Sequence, residues 1–375
     1  MKILLLSDPN SSHTIKWVKS LSQKGINILV LGLSECKVSD YQNCKNVSIQ
    51  NLGVPATLTK SRNSYFSKLI YLKSLQKVKK HIRHFKPDIV HAHYATSYGL
   101  LGALSGFRPF VLSVWGSDVF SFPRKSIFHK AIIQYNFRKA DKILSTSKAM
   151  ADEIQKYCSK KVEVTPFGID PEKFQKFPVQ TLFDEDSIVI GTIKSLEKEY
   201  GIEYLLKAFE IAMRKLPGLS LRLLIVGGGS LEKELKKLTK ELAIEKQTLF
   251  VGKIPFDEVA KYHNMIDISV FLSLNESFGV AVIEAGACEK PVVVSNIGGL
   301  PEVVEDNVGG FIVPAMNPAA AAGKLIRLIQ DEKLRREMGK NARNRVKQMY
   351  NWKTNVEQMI NIYQQILRFP VNPDE

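Results

Sequence analysis

The chain has 375 residues, 45% of them hydrophobic, with 53 Lys+Arg against 37 Asp+Glu. That length suits two domains with separate cores, and the lack of any run of about 18 apolar residues excludes a membrane-spanning helix. The charge is uneven: residues 1–180 hold 28 basic and 11 acidic residues, and the remainder 25 and 26, so the whole positive excess lies in the first half. Such asymmetry points to an anionic partner, whether membrane surface, phosphorylated acceptor or nucleic acid; a generally basic proteome produces the same excess without one.

The apolar start at Ile3-Leu4-Leu5-Leu6 is too short for a signal sequence and has no small-residue cleavage site behind it, so it reads as a first buried strand. Strand-like runs follow at 28–31, 47–50, 89–93, 110–114 and 142–145, with helices at 15–24, 65–85 and 149–157 among them. The alternation restarts with strands at 188–191, 221–226, 249–251, 268–272, 292–295 and 311–313. Helices at 201–215, 230–242 and 317–330 accompany them. Alternating β and α elements predict doubly wound parallel sheets, here two in succession. The connection falls within 167–186, around Pro171 and Pro178. The expected domains are therefore 1–170 and 187–351, joined by 171–186, with 352–375 a final helix that can pack back on the first domain. Ligand would bind at the carboxyl ends of the strands, in a central cleft that the two sheets face.

The four cysteines, Cys36, Cys44, Cys158 and Cys288, show no metal-ligand spacing and read as free thiols of a cytoplasmic protein. The helix 65–85 interleaves Phe66, Leu69, Ile70, Leu72, Leu75 and Val78 with Lys68, Lys73, Lys77, Lys79, Lys80, His81 and Arg83. That composition suits a helix lying on anionic lipid, at the inner face of the cell membrane, and equally an amphipathic helix packed on its own sheet.

The densest chemistry lies at Asn275-Glu276-Ser277-Phe278-Gly279-Val280-Ala281-Val282-Ile283-Glu284. A buried strand precedes it and a helix begins within it, so the amides near Phe278, Gly279 and Val280 are the unpaired donors of a helix N-terminus. Eight residues is about two turns, which lets Glu276 and Glu284 face one cleft at different depths. Carboxylates suit sugars because each accepts from paired hydroxyls. Two glutamates on a helix are ordinarily solvated, but the apolar neighbours here argue for burial, and a buried Glu284 needs a partner.

Glu276-x7-Glu284, followed by Pro291-Val292-Val293-Val294-Ser295 and Gly298-Gly299-Leu300-Pro301-Glu302, resembles the signature of retaining glycosyltransferase family 4. Val226-Gly227-Gly228-Gly229, Phe250-Val251-Gly252-Lys253 and Asn307-Val308-Gly309-Gly310-Phe311 extend the resemblance, which is close in the second half and looser in the first. It implies GT-B architecture, a nucleoside diphosphate sugar (UDP by prevalence) bound by the second domain, an acceptor bound by the first, and no metal or other cofactor. It also implies roles: Glu284 for the ribose, Glu276 for the donor sugar, and Ser277 with the Phe278, Gly279 and Val280 amides for sugar and diphosphate. The base would lie near Gly252 and Lys253, and His93 under the reacting sugar as a hydrogen-bond partner.

The chain departs from the pattern in three places. The arginine expected beside Gly191 is absent, leaving Lys194 and Lys198 to neutralise the diphosphate, Lys194 preferred. Trp115 of Ser113-Val114-Trp115-Gly116-Ser117-Asp118 stands where many members have histidine. The first loop, Asp8-Pro9-Asn10-Ser11-Ser12-His13, lacks the usual Gly-Gly pair, and Ser12 or His13 there could equally be an N-cap. Ser11, Ser12, His13, Trp115 and Asp118 are the expected acceptor-side residues. His91 and His93 share a strand face, so a zinc pair fits the spacing but finds no third ligand. The expected activity is transfer of a sugar to an acceptor hydroxyl of a glycan or lipid-linked molecule, in envelope polysaccharide or glycolipid synthesis. Rival readings are a GT-B-like sugar-nucleotide epimerase, a nicotinamide oxidoreductase using Gly227-Gly228-Gly229, and a basic nucleic-acid-binding protein. The oxidoreductase lacks a third glycine, Glu232 filling that place, and no nucleic-acid module is recognisable.

Overall fold

Each half of the chain winds the same way: a buried apolar strand, an amphipathic helix, then a strand parallel to the first. The computed structural model describes residues 1–33, 35, 38–54 and 65–369, and their side chains except those of 65–72. It divides into two compact units, Met1–Thr165 with the residues from Val356 onward, and Pro166–Asn355.

The first unit holds a seven-stranded sheet. Its strands are β1 (Lys2–Leu6), β2 (Asn27–Gly32), β3 (Val47–Asn51), β4 (Ile89–His93), β5 (Phe110–Val114), β6 (Lys142–Ser145) and β7 (Val162–Val164). Their order is β3-β2-β1-β4-β5-β6-β7, all parallel. Strands buried on both faces read as unbroken apolar runs, and Leu4, Leu6, Val90, Ala92, Leu112 and Ile143 form one side of the core. On the helix Tyr65–Phe85, Leu75, Val78, Ile82 and Phe85 pack against that core at helical spacing. Over its described side chains this helix thus turns its apolar face to its own sheet. Phe66, Lys68, Leu69, Ile70 and Leu72, which suggested lipid contact, lie outside the described side chains.

The second unit holds a six-stranded sheet: β8 (Ile188–Ile193), β9 (Leu221–Val226), β10 (Thr248–Gly252), β11 (Ile268–Phe271), β12 (Val292–Ser295) and β13 (Gly310–Val313). The order is β10-β9-β8-β11-β12-β13, again parallel throughout. Its core joins strand residues such as Ile190, Leu223, Ile225 and Val293 to Leu205, Phe209 and Leu325 of the covering helices.

Chain direction along the sheet reverses between β1 and β4 in the first unit and between β8 and β11 in the second. At such points the loops part and leave room for a ligand beyond the strand ends. Among the described residues no helix is long and apolar enough to cross a membrane.

Candidate active site

In the second unit the loops after β8 and β11 leave neighbouring strands at the reversal point. Lys194 is the first residue beyond β8 and Glu276 lies in the loop after β11. Their side chains meet as an ion pair, Nζ to Oε2 at 2.5 Å, with both largely buried. The ammonium also stands 4.3 Å from the centre of the Tyr200 ring. Burial first, then the Glu276 charge, pushes the Tyr200 phenol above its ordinary pKa. Lys198, in the short turn Lys198–Tyr200, is exposed and outside this cluster. The preference for Lys194 thus acquires a geometric reason.

The backbone around the pair is fixed by glycines. The Gly299 amide donates to the Glu276 carbonyl at 3.1 Å. Gly298, at φ +54°, lies so close to that carbonyl that a Cβ would collide with it. Gly227 presses on the Lys194 carbonyl in the same way, and its amide donates to the Gly252 carbonyl at 2.9 Å. The triple glycine therefore serves close packing beneath the Lys194 loop. Exposed Lys253 lays its stem over Gly228.

The helix Val280–Ala287 opens at Gly279, at φ +103°, without a side-chain cap. The amides of Phe278, Gly279, Val280 and Ala281 find no acceptor among the described residues, which leaves a set of donors free for an anion. Ser277 and Val280 are half-buried beside them. The Phe278 ring is core, edge-on to Phe167 and Tyr350, so what this residue can offer a ligand is its amide.

Glu284, one turn further along, is buried with its Oε2 3.6 Å from Nε2 of His263. His263, on the helix Val259–Met265, is fully buried, and neither ring nitrogen has a hydrogen-bond partner among the described residues. Sequence reasoning missed this histidine. The available signal was that a buried Glu284 needs a partner, and His263 comes from an element whose proximity only the fold reveals.

In the first unit, His93 ends β4. Its Nδ1 hydrogen-bonds Ser7 Oγ at 3.1 Å, and Ser7 Oγ in turn bonds Thr14 Oγ1 at 2.7 Å. The half-buried Trp115 ring lies tilted against His93, centroids 4.4 Å apart, and His13 meets the same indole edge-on at 5.7 Å. Burial, with His91 and His13 alongside, holds His93 well below the ordinary histidine pKa, so it is a neutral imidazole. His91 has one nitrogen 2.7 Å from Tyr363 Oη and the other 2.8 Å from Ser113 Oγ, and burial pushes its pKa down to about 3. With both nitrogens of His91 engaged, the pair is built for hydrogen bonding. Among the described residues no three His, Cys, Asp or Glu side chains gather as a metal site.

Two acceptor-side expectations change on inspection. The Asp118 carboxylate is 1% exposed and accepts from the Ala95 amide at 2.8 Å, the Gly116 amide at 2.8 Å and the Trp115 amide at 3.4 Å. It ties the loops after β4 and β5 together and has no face for a ligand; burial raises its pKa while these amides oppose the rise. The helix after the first loop runs Ser12–Gln23, earlier than the sequence suggested. Ser11 is its N-cap, without a side-chain cap bond, and Ser12 and His13 form its first turn. The loop itself is braced by Asp8, whose Oδ1 accepts the Asn10 amide at 3.0 Å, and by Tyr41, which donates to the Pro9 carbonyl at 2.6 Å.

Two doubly wound parallel sheets, one bearing a buried lysine–carboxylate pair and open helix amides at its reversal point, define a GT-B-type nucleotide-sugar transferase. Residues 173–345 match the family described as glycosyl transferases group 1, and residues 2–147 the one described as glycosyl transferase 4-like. The chain belongs to these group 1 glycosyltransferases, the retaining family 4, enzymes that use nucleotide sugars. It is 27% identical to an uncharacterized glycosyltransferase of Methanocaldococcus jannaschii, over 94% of this chain and 93% of that one. It is 28% identical to the N-acetyl-alpha-D-glucosaminyl L-malate synthase of Bacillus anthracis, over 75% of each chain. A sucrose-phosphate synthase structure from Thermosynechococcus elongatus shares the fold at TM-score 0.81 and 19% identity, covering 98% of this chain and 99% of that one.

Proposed function

We propose that this enzyme moves a sugar from a UDP-sugar to a hydroxyl of an envelope glycan or lipid-linked acceptor, at the inner face of a membrane and without a metal. The Lys194–Glu276 pair beside the open amides of Phe278, Gly279 and Val280 carries this reading. A diphosphate placed on those amides competes with Glu276 for the Lys194 ammonium. Lys194 then neutralises the leaving group while Glu276 turns to sugar hydroxyls. Glu284 accepts from the ribose, and the base lies along Gly252 and Lys253. The acceptor oxygen bonds to the anomeric carbon as the bond to the diphosphate breaks. The acceptor proton passes to the departing phosphate, so no side-chain base is required. On the first unit, neutral His93 serves as a hydrogen-bond partner, with Ser11, Ser12, His13 and Trp115 toward the acceptor.

The test is a calorimetric titration with UDP, GDP, ADP and NAD, followed by hydrolysis of the corresponding sugar nucleotides. Binding of UDP alone, with UDP-sugar hydrolysis, is expected. Preference for another base corrects the nucleotide, and NAD binding with no diphosphate binding overturns the proposal.

A further inference from the structure

The positive excess of the first half has one structural focus in the segment that joins β5 to β6. Residues 119–140 contain Arg124, Lys125, Lys130, Arg138 and Lys139 and no aspartate or glutamate. Within this stretch Ile127 is 84% exposed and Phe128 74%. Among the described residues no other two consecutive large apolar side chains are exposed. Scattered exposed apolar residues are ordinary; two adjacent ones held out on a helix end are not.

The helix Ile127–Lys139 is anchored from behind. Ile133, Asn136 and Phe137 are buried, and the Asn136 side-chain amide donates to the Ala95 carbonyl at 2.8 Å. Pro123 is buried before it, and the Ser126 hydroxyl caps it by accepting the His129 amide. This scaffold projects Ile127 and Phe128 outward, on a face that continues through exposed Ala131, Gln134 and Arg138. Arg124 is paired with Glu153 at 2.9 Å, whereas Lys125, Lys130, Arg138 and Lys139 form no ion pair among the described residues.

We infer that this face docks on an anionic lipid bilayer, with Ile127 and Phe128 entering the boundary between headgroups and acyl chains. Lys125 and Lys130, with Arg138 and Lys139 further along, meet lipid phosphates. A bilayer supplies both halves of what the patch lacks: an apolar medium beside the two side chains and negative charge around them. A protein partner would have to bring its own carboxylates, and a nucleic acid would leave Ile127 without a counterpart. This deepens the membrane contact proposed above and is independent of the donor site.

The experiment is co-sedimentation of the full chain with phosphatidylglycerol–phosphatidylcholine vesicles and with pure phosphatidylcholine vesicles, at two salt concentrations. Binding only to the anionic vesicles, weakened by salt, is expected. The Ile127→Ser/Phe128→Ser variant should bind at least tenfold more weakly while its melting temperature and UDP affinity stay unchanged. Phe128→Trp should give a blue-shifted emission, quenched by brominated lipid. If the double variant binds as tightly as the parent, contact lies elsewhere and this surface is overturned, although membrane association stands. If the parent binds no vesicle, both fall, with the UDP titration untouched. Equal retention on DNA, or a dimer that the double substitution dissolves, also overturns the proposal.

Discussion

Glu284 and His263 allow donor binding to be separated from stability at the level of single side chains. Glu284→Ala removes the acceptor proposed for the ribose, and a lost charge-assisted pair is worth about 1.5–3 kcal/mol. UDP affinity should fall by roughly tenfold to a hundredfold in calorimetry; unchanged affinity would sink the role. Among the described residues His263 has no hydrogen-bond partner on either nitrogen, so His263→Phe costs no hydrogen bond and removes only the ring 3.6 Å from the Glu284 carboxylate. The expected result is an unchanged or higher melting temperature with weaker UDP binding, because the carboxylate loses the group behind it. If UDP affinity stays at the parent value, His263 is only packing. Lys194 and Lys198 divide similarly. Lys194→Met should lower kcat by about a hundredfold or more through the lost charge on the leaving group, and Lys198→Met only slightly. Equal losses in steady-state kinetics would contradict the distinction drawn from the Tyr200 and Glu276 contacts.

At the scale of elements, the strands were legible because parallel strands buried on both faces leave continuous apolar runs, and the helix N-terminus was legible because Gly279 breaks such a pattern. What was not legible depended on two elements meeting. Asp118 looks like an acceptor-side carboxylate until the Ala95 amide, from the loop after a different strand, is seen to occupy it. β7, only Val162–Val164, is too short to show any period. The preference for Lys194 over Lys198 was already made on the sequence, but its geometric reason, contact with Tyr200 and with a glutamate far along the chain, was not legible there. Gly298 belongs to the same class, since its necessity comes from the Glu276 carbonyl pressed against it. Gly298→Ala must move that carbonyl and also adopt a left-handed φ, so the 276–279 loop should shift with it. A fall of several degrees in melting temperature together with weakened UDP binding is expected. Loss of stability with UDP affinity intact would show that the turn supports the fold and not the site.

For the molecule as a whole, the response to acid has a source in the first unit. The first unit buries His91 and His93 in edge-to-face contact, 4.7 Å between ring centres. Burial lowers His91 from 6.5 to about 3 and His93 well below 6.5. Both are neutral when folded, while in the unfolded chain they take up protons near their ordinary value. The unfolded state therefore binds more protons between about pH 3 and 6.5, and stability rises with pH across that window. It is complete above pH 6.5 and drains as pH falls below it, by at most about 1.4 kcal/mol per pH unit for each histidine. Melting curves from pH 8 to pH 4.5 should be flat at the upper end and drop steadily below pH 6.5. His91→Asn should reduce that slope, since the titrating group is gone, even though its loss lowers stability at neutral pH by unpairing Tyr363 and Ser113. A parent curve that stays flat to pH 4.5, or a slope unaffected by His91→Asn, would assign the acid response to other groups. The same burial that makes the first unit acid-labile also holds His93 neutral, the form in which it would fill the role proposed for it toward substrate.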